Sequence, residues 1–463
     1  MSAAQVLTAA QMRAAEQALF DAGMPVIDLM ERAAGGAAEW IRRCAAGRAV
    51  TVLCGPGNNG GDGYVIARRL REAGNAVRLV APVAPATESA REARRRWGGP
   101  VAEAGEGAAG DVFVDCLFGS GLARPLSDEH AALLQGLAAG HRFRVAVDLP
   151  SGVATDSGAV LNDSLPTFDL TLALGAWKFA HWSLPGRALM GQLRLVPIGI
   201  EAVEGAAQSV ERPRIAVPDA DSHKYRRGLL AILAGAMPGA SLLAAASAQH
   251  AGAGYVKLLA PHADPRNPPD AVTDSAPLDE ALADSRIAAV LVGPGLGRDA
   301  AARETLEAAL RHARTLVIDA DALMLLAPTM LPEGKPILAT PHDGELEALC
   351  RSFGVAGDTR RERALALAAA SGMVVLAKGP DSIIAAPDGR CALGTPAPSW
   401  LSVAGTGDVL AGIAASRMAT GRDAFDAACE ALWLHGEAAR RAGAAFTPSQ
   451  LAQAVQGALA AAL

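Results

Sequence analysis

The chain has 463 residues, which at roughly 150 residues per domain predicts two or three domains. Hydrophobic residues make up 51% of the sequence and charged residues 19%, a globular balance that excludes disorder for the bulk of the chain. Acidic residues outnumber basic ones 48 to 42, and the formal net charge of −6 excludes a protein that holds nucleic acid by bulk positive charge.

In the first half of the chain, short aliphatic runs alternate with longer Ala-rich amphipathic segments. Strands are predicted at 49–54, 76–81, 112–116, 144–147, 170–174 and 193–196, and helices at 9–22, 25–43, 64–72, 89–97 and 128–137. This repeated βαβ order predicts a mainly parallel sheet that is covered by helices on both faces.

The alternation stops in the mixed segment 201–217, and a domain boundary is predicted near Arg212. It then restarts, with strands predicted at 229–234, 255–260, 288–292, 315–318, 337–339, 373–377 and 382–386. Helices are predicted between and after them, at 240–251, 300–312, 344–349, 359–370, 409–418 and 424–442. Two α/β domains in tandem, 1–212 and 213–463, are the simplest account.

The stretch 228–248 contains no charged residue and is long enough to cross a bilayer. Met237-Pro238-Gly239 interrupts it, so we expect a buried strand, a turn and a buried helix instead. Six scattered cysteines without a CxxC pair argue against a zinc ribbon and a disulfide framework, and favour a reducing cytoplasm. No signal peptide is recognised, so a cytoplasmic location and no membrane partner are expected.

The chemistry of the first domain is expected in the turns after its strands, because ligands gather at the carboxyl ends of parallel strands. The Gly-rich turn 55–63 lets the backbone approach an anion at a helix start. A second Gly-rich loop carries Arg124, which can pair with an anion. Polar side chains in these turns and in a third one are Asn59, Asp115, Asp148 and Ser151. Each by itself is explained as a helix cap, whereas a convergent set of oxygen donors could hold a cation.

The combination of these three loops resembles the NAD(P)H-hydrate epimerase domain over about the first 200 residues, and Lys178 fits that family's tail. The resemblance implies that the hydrated dinucleotide is bound by Asn58, Asn59, Gly60, Gly61, Asp62, Gly119, Ser120, Gly121, Leu122, Ala123, Arg124, Pro125 and Asp148. It also implies a potassium ion (K⁺) held by Asn59, Asp115 and Ser151. Asp148 is the expected acid–base residue at the epimerised carbon, and Ser120 replaces the usual threonine but keeps the hydroxyl.

The most informative turn of the second domain is Gly405-Thr406-Gly407-Asp408, which opens the helix predicted at 409–418. Its glycines leave helix N-terminal amides exposed, where the helix dipole adds about half a positive charge, so the turn can receive a phosphoryl group. Asp408 is predicted as a general base for a substrate hydroxyl, and a helix-start carboxylate without a catalytic role is the alternative. His342 is either a ligand-binding residue or a buried, hydrogen-bonded histidine.

This turn resembles that of the ribokinase-like superfamily, in which Gly-Thr-Gly-Asp carries the catalytic aspartate. With Gly293-Pro294-Gly295, Thr340-Pro341-His342 and Lys378-Gly379, it resembles ADP/ATP-dependent NAD(P)H-hydrate dehydratase. The resemblance implies substrate contacts from Ala253, Gly295, His342 and Asp408. It implies that ADP or ATP, with Mg²⁺, is bound by Lys378, Gly379, Pro380, Asp381, Ser382 and Gly407. The segment 398–403 departs from the family's usual small residues, which leaves the nucleotide preference open.

The tandem order resembles the bifunctional NAD(P)H-hydrate repair family over nearly the whole chain. It implies a Rossmann-like first domain and a ribokinase-like second domain, each a three-layer αβα sandwich. The first would interconvert the R and S hydrates of NADH and NADPH (NADHX and NADPHX). The second would dehydrate the S form at the expense of ADP or ATP, releasing AMP or ADP and phosphate. A homo-oligomer is expected, with no nucleic-acid partner.

Two other functions stay open. A ribokinase-type small-molecule or vitamin kinase, with a non-catalytic nucleotide-binding N-terminal module, would accumulate a stable phosphorylated product. A non-enzymatic dinucleotide sensor would bind without turnover, and the complete Gly-Thr-Gly-Asp turn counts against it.

Overall fold

The computed structural model describes residues 5–104, 109–261 and 270–463. The chain divides into two compact units between Ala207 and Gln208, whereas the sequence placed the boundary near Arg212. Each unit is built on a mainly parallel sheet with helices packed against it, so the predicted α/β fold class is confirmed. Within the described residues, no helix combines the length and the apolar composition needed to cross a bilayer.

The first unit contains a six-stranded parallel sheet. The strands of this unit are β1 (Gln5–Leu7), β2 (Val50–Cys54), β3 (Val77–Val80), β4 (Gly110–Cys116), β5 (His141–Val147), β6 (Leu170–Leu174), β7 (Trp177–Lys178) and β8 (Gln192–Val196). Its helices are α1 (Ala9–Asp21), α2 (Val26–Ala45), α3 (Asn58–Glu72), α4 (Glu88–Trp97) and α5 (Asp128–Ala139). The strand order is β3-β2-β4-β5-β6-β8, and β1 pairs with β7 apart from that sheet.

Helices cover both faces of this sheet because successive side chains of a strand point to opposite sides. Val52 of β2 belongs to one apolar cluster with Ile41 of α2 and Ile66 of α3. The next residue, Leu53, belongs to a second cluster with Leu134 of α5. The carboxyl ends of β2, β4 and β5 therefore meet at one edge that both helical layers leave open.

The second unit contains a ten-stranded sheet. Its strands are β9 (Ala207–Ser209), β10 (Leu229–Leu233), β11 (Tyr255–Leu259), β12 (Val272–Asp274), β13 (Ile287–Val292), β14 (Leu316–Ile318), β15 (Ile337–Ala339), β16 (Val374–Ala377), β17 (Ile383–Ala385) and β18 (Cys391–Leu393). Its helices are α6 (Pro238–His250), α7 (Leu278–Leu282), α8 (Ala300–His312), α9 (Asp321–Leu325), α10 (Asp343–Ser352), α11 (Arg360–Ser371), α12 (Thr406–Ala419), α13 (Ala424–Ala442) and α14 (Pro448–Ala462). The strand order is β12-β11-β10-β13-β14-β15-β16-β17-β18-β9. All neighbours from β12 to β16 are parallel, β17 is antiparallel to both β16 and β18, and β9 is parallel to β18.

One apolar core of the second unit lies between this sheet and the helices α6, α12, α13 and α14. Ile232 of β10 shares an apolar cluster with Ile413 of α12, Leu434 of α13 and Val455 of α14. The uncharged stretch 228–248 forms β10, a turn and α6, as predicted. Both elements contribute buried apolar residues to this core, which explains why the stretch carries no charge.

Two predicted helix starts are wrong in the same direction. The helix after β2 begins at Asn58 rather than at residue 64, and α12 begins at Thr406 rather than at residue 409. Glycines that were taken as turn residues belong to the first turns of these helices. A Cβ on Gly60 would lie 1.8 Å from the backbone oxygen of Gly55, so only glycine permits this close approach.

Several elements were not predicted, namely β1, β7, β9, β12, β18, α7, α9 and α14. Most of them have five residues or fewer and carry little periodicity. The long helix α14 had a clear signal, because Thr447 caps it, Pro448 follows at its first position and Gln450 completes a capping box.

Candidate active sites

A cavity of about 1100 Å³ opens at the carboxyl ends of β2, β4 and β5 in the first unit. Of the residues predicted to bind the dinucleotide, its walls contain Asn58, Asn59, Asp62, Gly119, Ser120, Gly121, Leu122, Ala123, Arg124, Pro125 and Asp148. Gly60 and Gly61 are buried in α3 and do not line the cavity. The first turn of α3 has no side-chain cap at Gly57, so its backbone amides are free to receive an anion.

Asp148 is constrained both in its backbone and through its side-chain partners. Its φ of +68° lies in the left-handed region, which a non-glycine residue rarely adopts. One carboxylate oxygen, Oδ1, lies 2.5 Å from Nζ of Lys178, and the other accepts a hydrogen bond of 3.1 Å from the Ser120 amide. Burial by itself would raise the pKa of Asp148, but the Lys178 ammonium outweighs it and lowers the pKa below its usual range. The Asp148 carboxyl is therefore ionised, and its orientation is fixed by hydrogen bonds to both oxygens.

Lys178 and His181 fix the position of Asp148 through its side chain and its backbone carbonyl. Nζ of Lys178 also donates to the Leu174 carbonyl at 2.6 Å, and the Lys178 amide donates to Nδ1 of His181 at 2.8 Å. Burial and the Lys178 charge lower the pKa of His181 to about 4, so its ring is neutral. Since Nδ1 accepts, Nε2 carries the proton and donates to the Asp148 carbonyl at 2.8 Å.

Asp115 and Ser151 lie beneath this cavity and are bonded to each other. The Ser151 hydroxyl donates to Asp115 Oδ1 at 2.8 Å, and the Ser151 amide donates to Oδ2 at 2.9 Å. Burial raises the pKa of Asp115 to about 6. The Asn59 carboxamide is buried and makes no hydrogen bond within the described part of the chain. A Cβ on Gly119 would lie 3.3 Å from Asn59 Oδ1 and 3.2 Å from Asp148 Oδ2, so both groups border the Gly119 turn.

Two further carboxyls line the cavity and have raised pKa values. Burial raises the pKa of Asp62 well above its usual value, and the charges of Asp148 and Glu16 add to the effect. Burial and the Asp148 charge also raise the pKa of Glu16, although Lys178 opposes them. Sequence reasoning missed Glu16 and its neighbour Arg13, because α1 precedes the first βα unit and no strand-end pattern marks it.

The second unit places Asp408 near another acid–lysine pair. Asp319 follows β14 directly, and its Oδ1 lies 2.6 Å from Lys378 Nζ and accepts from the Thr340 hydroxyl at 2.7 Å. Burial and the Asp319 charge raise the pKa of Asp408 to about 6, although Lys378 opposes them. Asp319 was not predicted, yet it stands at a strand end as Asp115 does, so the same signal was available.

The start of α12 is open toward Lys378. Gly405 has a φ of +97° and provides no side-chain cap. The Thr406 hydroxyl donates a hydrogen bond to the Leu401 carbonyl at 2.8 Å, and the Thr406 carbonyl accepts one from Nε2 of His435 at 3.0 Å. A Cβ on Gly407 would lie 3.4 Å from Lys378 Nζ, so the ammonium faces the first helical turn. Free amides and an ammonium together suit a phosphate group.

The loop after β13 packs against the start of α6. Gly293 has a φ of +123°, and a Cβ there would lie 1.8 Å from the backbone carbonyl oxygen of Asp319. The Gly295 carbonyl accepts from the Met237 amide at 2.9 Å, and a Cβ on Gly295 would lie 3.1 Å from Ala240 Cβ. Met237 and Ala240 are therefore the neighbours of Gly295 that sequence reasoning missed.

Ala253 is not brought to this edge of the sheet. It precedes β11, which runs parallel to β10, so it lies at the amino edge, whereas Gly295, His342 and Lys378 follow carboxyl ends. Its amide donates to the Ser416 hydroxyl at 2.9 Å, far along α12 from Asp408. The rule that ligands gather after the carboxyl ends of parallel strands already spoke against Ala253, because it precedes its strand, and only the family resemblance had included it.

His342 caps α10 and is exposed. Its Nδ1 accepts from the Gly344 amide at 3.0 Å, and its Nε2 lies 3.3 Å from a carboxylate oxygen of Glu345. Its side chain is 60% exposed, so the alternative of a buried histidine is wrong.

The predicted nucleotide loop 378–382 is braced by Arg360. The guanidinium of Arg360 pairs with Asp381 and, at 2.7 Å, with Asp343. The Ser382 hydroxyl bonds the Gly379 backbone at 2.7 Å. Asp381 and Ser382 therefore shape the loop with their side chains, and Lys378 is the residue whose charge points toward α12.

The fold and these two carboxylate–lysine sites define a two-domain α/β enzyme. The family model described as YjeF-related protein N-terminus matches residues 26–180, and the NAD(P)H-hydrate dehydratase model matches residues 230–460. A bifunctional NAD(P)H-hydrate repair enzyme from Thermosynechococcus vestitus is 33% identical over 94% of this chain and 93% of its own. One from Mycobacterium leprae is 33% identical over 93% of this chain and 92% of its own. The chain belongs to the family of bifunctional NAD(P)H-hydrate repair enzymes, as the sequence motifs predicted.

Solved structures are similar to about half of this chain. The ADP/ATP-dependent NAD(P)H-hydrate dehydratase from Bacillus subtilis, co-crystallized with ATP/Mg²⁺, is 27% identical with a TM-score of 0.46, over 54% of this chain and 95% of its own. A ribokinase-like superfamily protein from Enterococcus faecalis is 23% identical with a TM-score of 0.48, over 54% of this chain and 92% of its own.

Proposed function

We propose that the first unit interconverts the R and S hydrates of NADH and NADPH, and that the second unit dehydrates the S form with ADP or ATP. One observation carries this proposal: in each unit, a buried carboxylate and a lysine meet at the carboxyl edge of the sheet. The pairs are Asp148 with Lys178 and Asp319 with Lys378, at 2.5 and 2.6 Å. Membership of the repair family supports both activities.

Asp148 is the proposed acid–base residue of the first unit. Its lowered pKa keeps it ionised, so it is ready to accept a proton from the hydrated nicotinamide and return it. Lys178 is a positioning residue, since it fixes one oxygen while the Ser120 amide binds the other. The open first turn of α3 and the loop 119–125 would bind the diphosphate of the same substrate.

Asn59, Asp115 and Ser151 would hold a potassium ion near this cavity. Their donor set fits, because the Asp115 carboxylate is buried and the Asn59 carboxamide has no partner within the described part of the chain. Groups of three or more His, Cys, Asp or Glu that could bind a metal are absent from the described residues, so neutral oxygens must complete the shell. The ion would supply charge that offsets Asp115 and orders the loops around Gly119.

Asp408 is the proposed general base of the second unit. Once deprotonated, it takes the proton of the substrate's C6 hydroxyl, whose oxygen then bonds the terminal phosphorus of ADP or ATP while the bond to AMP or ADP breaks. The C6–O bond of the new phosphate ester then breaks and inorganic phosphate leaves with the bonding pair, while a proton passes from C5 to solvent and the C5–C6 double bond forms. Phosphate is a far better leaving group than hydroxide, which is why a phosphoryl-transfer site suits a dehydration.

Lys378 and the amides at Gly407 would bind the nucleotide phosphates. Mg²⁺ fits here as well, because it binds one or two carboxylates together with phosphates, and Asp319 lies close enough to raise the pKa of Asp408. Gly295 and His342 remain proposed substrate contacts. Ala253 is left out of this set, because it lies at the opposite edge of the sheet.

The test is to incubate the protein with mixed R and S hydrates of NADH, ADP or ATP and Mg²⁺, and to follow reduced-nicotinamide absorbance and free phosphate together. Repair predicts full recovery with one phosphate per dinucleotide. A stable phosphorylated product would favour the kinase alternative. In Asp148→Ala, recovery should stop at the S fraction of the mixture, and failure to repair pure S hydrate would contradict the division of labour. The homo-oligomer and the cytoplasmic location expected from the sequence stay predictions.

A further inference from the structure

A second cavity of about 730 Å³ adjoins the first cavity and shares Asn58 and Thr87 with it. Three arginines of α4, namely Arg91, Arg95 and Arg96, line it together with the acidic residues Glu88 and Glu92. We call it the α4 cavity. The two shared residues place the α4 cavity directly beside the first cavity.

The strand order decides which end of a dinucleotide would reach the α4 cavity. Asp148 follows β5, Asn58 follows β2, and Thr87 lies in the connection after β3. From β5 to β3 the sheet crosses β4 and β2, three spacings of about 4.8 Å, or roughly 14 Å. With the nicotinamide at Asp148 and the diphosphate at the start of α3, the adenosine end points toward β3 and this cavity.

Arg91 is the arginine available for an anion. Arg95 and Arg96 both bind Glu92, at 2.6 and 2.7 Å. Arg91 instead donates to the Ala86 carbonyl at 2.7 Å, and among the described residues it forms no ion pair. That bond uses one N–H of Nη2, and the second N–H of Nη2 can still act with a neighbouring guanidinium nitrogen as a fork that suits a phosphate.

We propose that Arg91 binds the 2′-phosphate of the NADPH hydrate, and so gives the first unit a preference for it over the NADH hydrate. This inference rests on the proposed function of the first cavity, and it adds the residue that recognises the adenosine end of the substrate. The Asn58 carboxamide supports the path, since its Oδ1 accepts from the Ser89 hydroxyl at 3.0 Å and joins the start of α3 to the wall of the α4 cavity.

The kinetic test compares both hydrates in wild-type protein, Arg91→Ala and Arg91→Lys. In Arg91→Ala, KM for epimerisation of the NADPH hydrate should rise about tenfold or more, with kcat and the KM for the NADH hydrate within twofold. Arg91→Lys should recover part of the loss, because it keeps the charge without the fork. Arg94→Ala is the matched control, since Arg94 belongs to the same helix but faces Tyr64, and it should change neither KM.

A binding test keeps this inference apart from the proposed epimerisation. Titration of the wild-type protein with 2′,5′-ADP and with 5′-AMP should show tighter binding of 2′,5′-ADP, and Arg91→Ala should remove the difference. Equal losses for both hydrates, no change in either, or a selective loss in Arg124→Ala instead would overturn the role of Arg91. If the wild-type protein binds 2′,5′-ADP through Arg91 but does not epimerise, the proposed function fails while the phosphate site stands.

Discussion

Nζ of Lys178 lies 2.5 Å from Oδ1 of Asp148, and their side chains are only 1% and 8% exposed. A buried ion pair of this kind costs several kcal/mol of desolvation per ion, so it is weak support for stability in itself. Its value here is control of one carboxylate: the pair keeps Asp148 ionised inside a cavity where burial alone would protonate it.

Lys178→Met should unfold more easily by about 3–5 kcal/mol, because it leaves a buried carboxylate without a counter-charge. Epimerisation should fall strongly, since the pKa of Asp148 then rises and its direction is lost. Denaturant unfolding and R-to-S conversion measure the two effects. The double variant Lys178→Met with Asp148→Asn should regain part of the stability but none of the activity, and unchanged stability in the single variant would contradict the assignment.

Dehydration of the S hydrate should be slow at low pH and rise as the pH passes about 6, because Asp408 acts only when deprotonated. In Asp408→Asn this limb should disappear and kcat should drop by about 10²–10⁴-fold. Nucleotide affinity, measured by calorimetry, should be nearly unchanged. A variant with wild-type turnover would remove Asp408 from the chemistry and leave it a helix-start carboxylate.

Gly407→Ala should separate function from folding at the start of α12. The added Cβ meets only Lys378 Nζ at 3.4 Å, an ordinary contact, so the melting temperature should hold or rise. The same Cβ narrows the phosphate site, so KM for ADP or ATP should rise about tenfold. Gly293→Ala is the contrasting variant. Its Cβ would lie 1.8 Å from the backbone carbonyl oxygen of Asp319, so this variant should be severely destabilised.

Asn59→Ala tests the cation site without a large folding penalty. The Asn59 carboxamide has no partner among the described residues, so its removal should change the free energy of unfolding by less than about 1 kcal/mol. The K⁺ concentration for half-maximal epimerisation should rise, while dehydration of the S hydrate stays unchanged. Asn58→Ala, whose side chain bonds Ser89, should leave the K⁺ requirement as it is. If the two variants respond alike to K⁺, the site does not include Asn59.

The sequence was sufficient wherever the signal was local. The alternation of strands and helices and the family resemblance located both units, because burial imposes its periodicity on neighbouring residues. It also predicted Asp148, which follows a parallel strand, and Asp408, which lies in a Gly-rich turn at the start of a helix. The same rule would have found Asp319, which directly follows β14.

Only the tertiary structure decided which distant groups meet. It paired Asp148 with a lysine 30 residues away, brought Glu16 of α1 to the same cavity, and set Met237 rather than Ala253 beside Gly295. Strand order and strand direction fix those meetings. They arise from packing across the whole sheet, so the spacing of residues along the chain does not contain them.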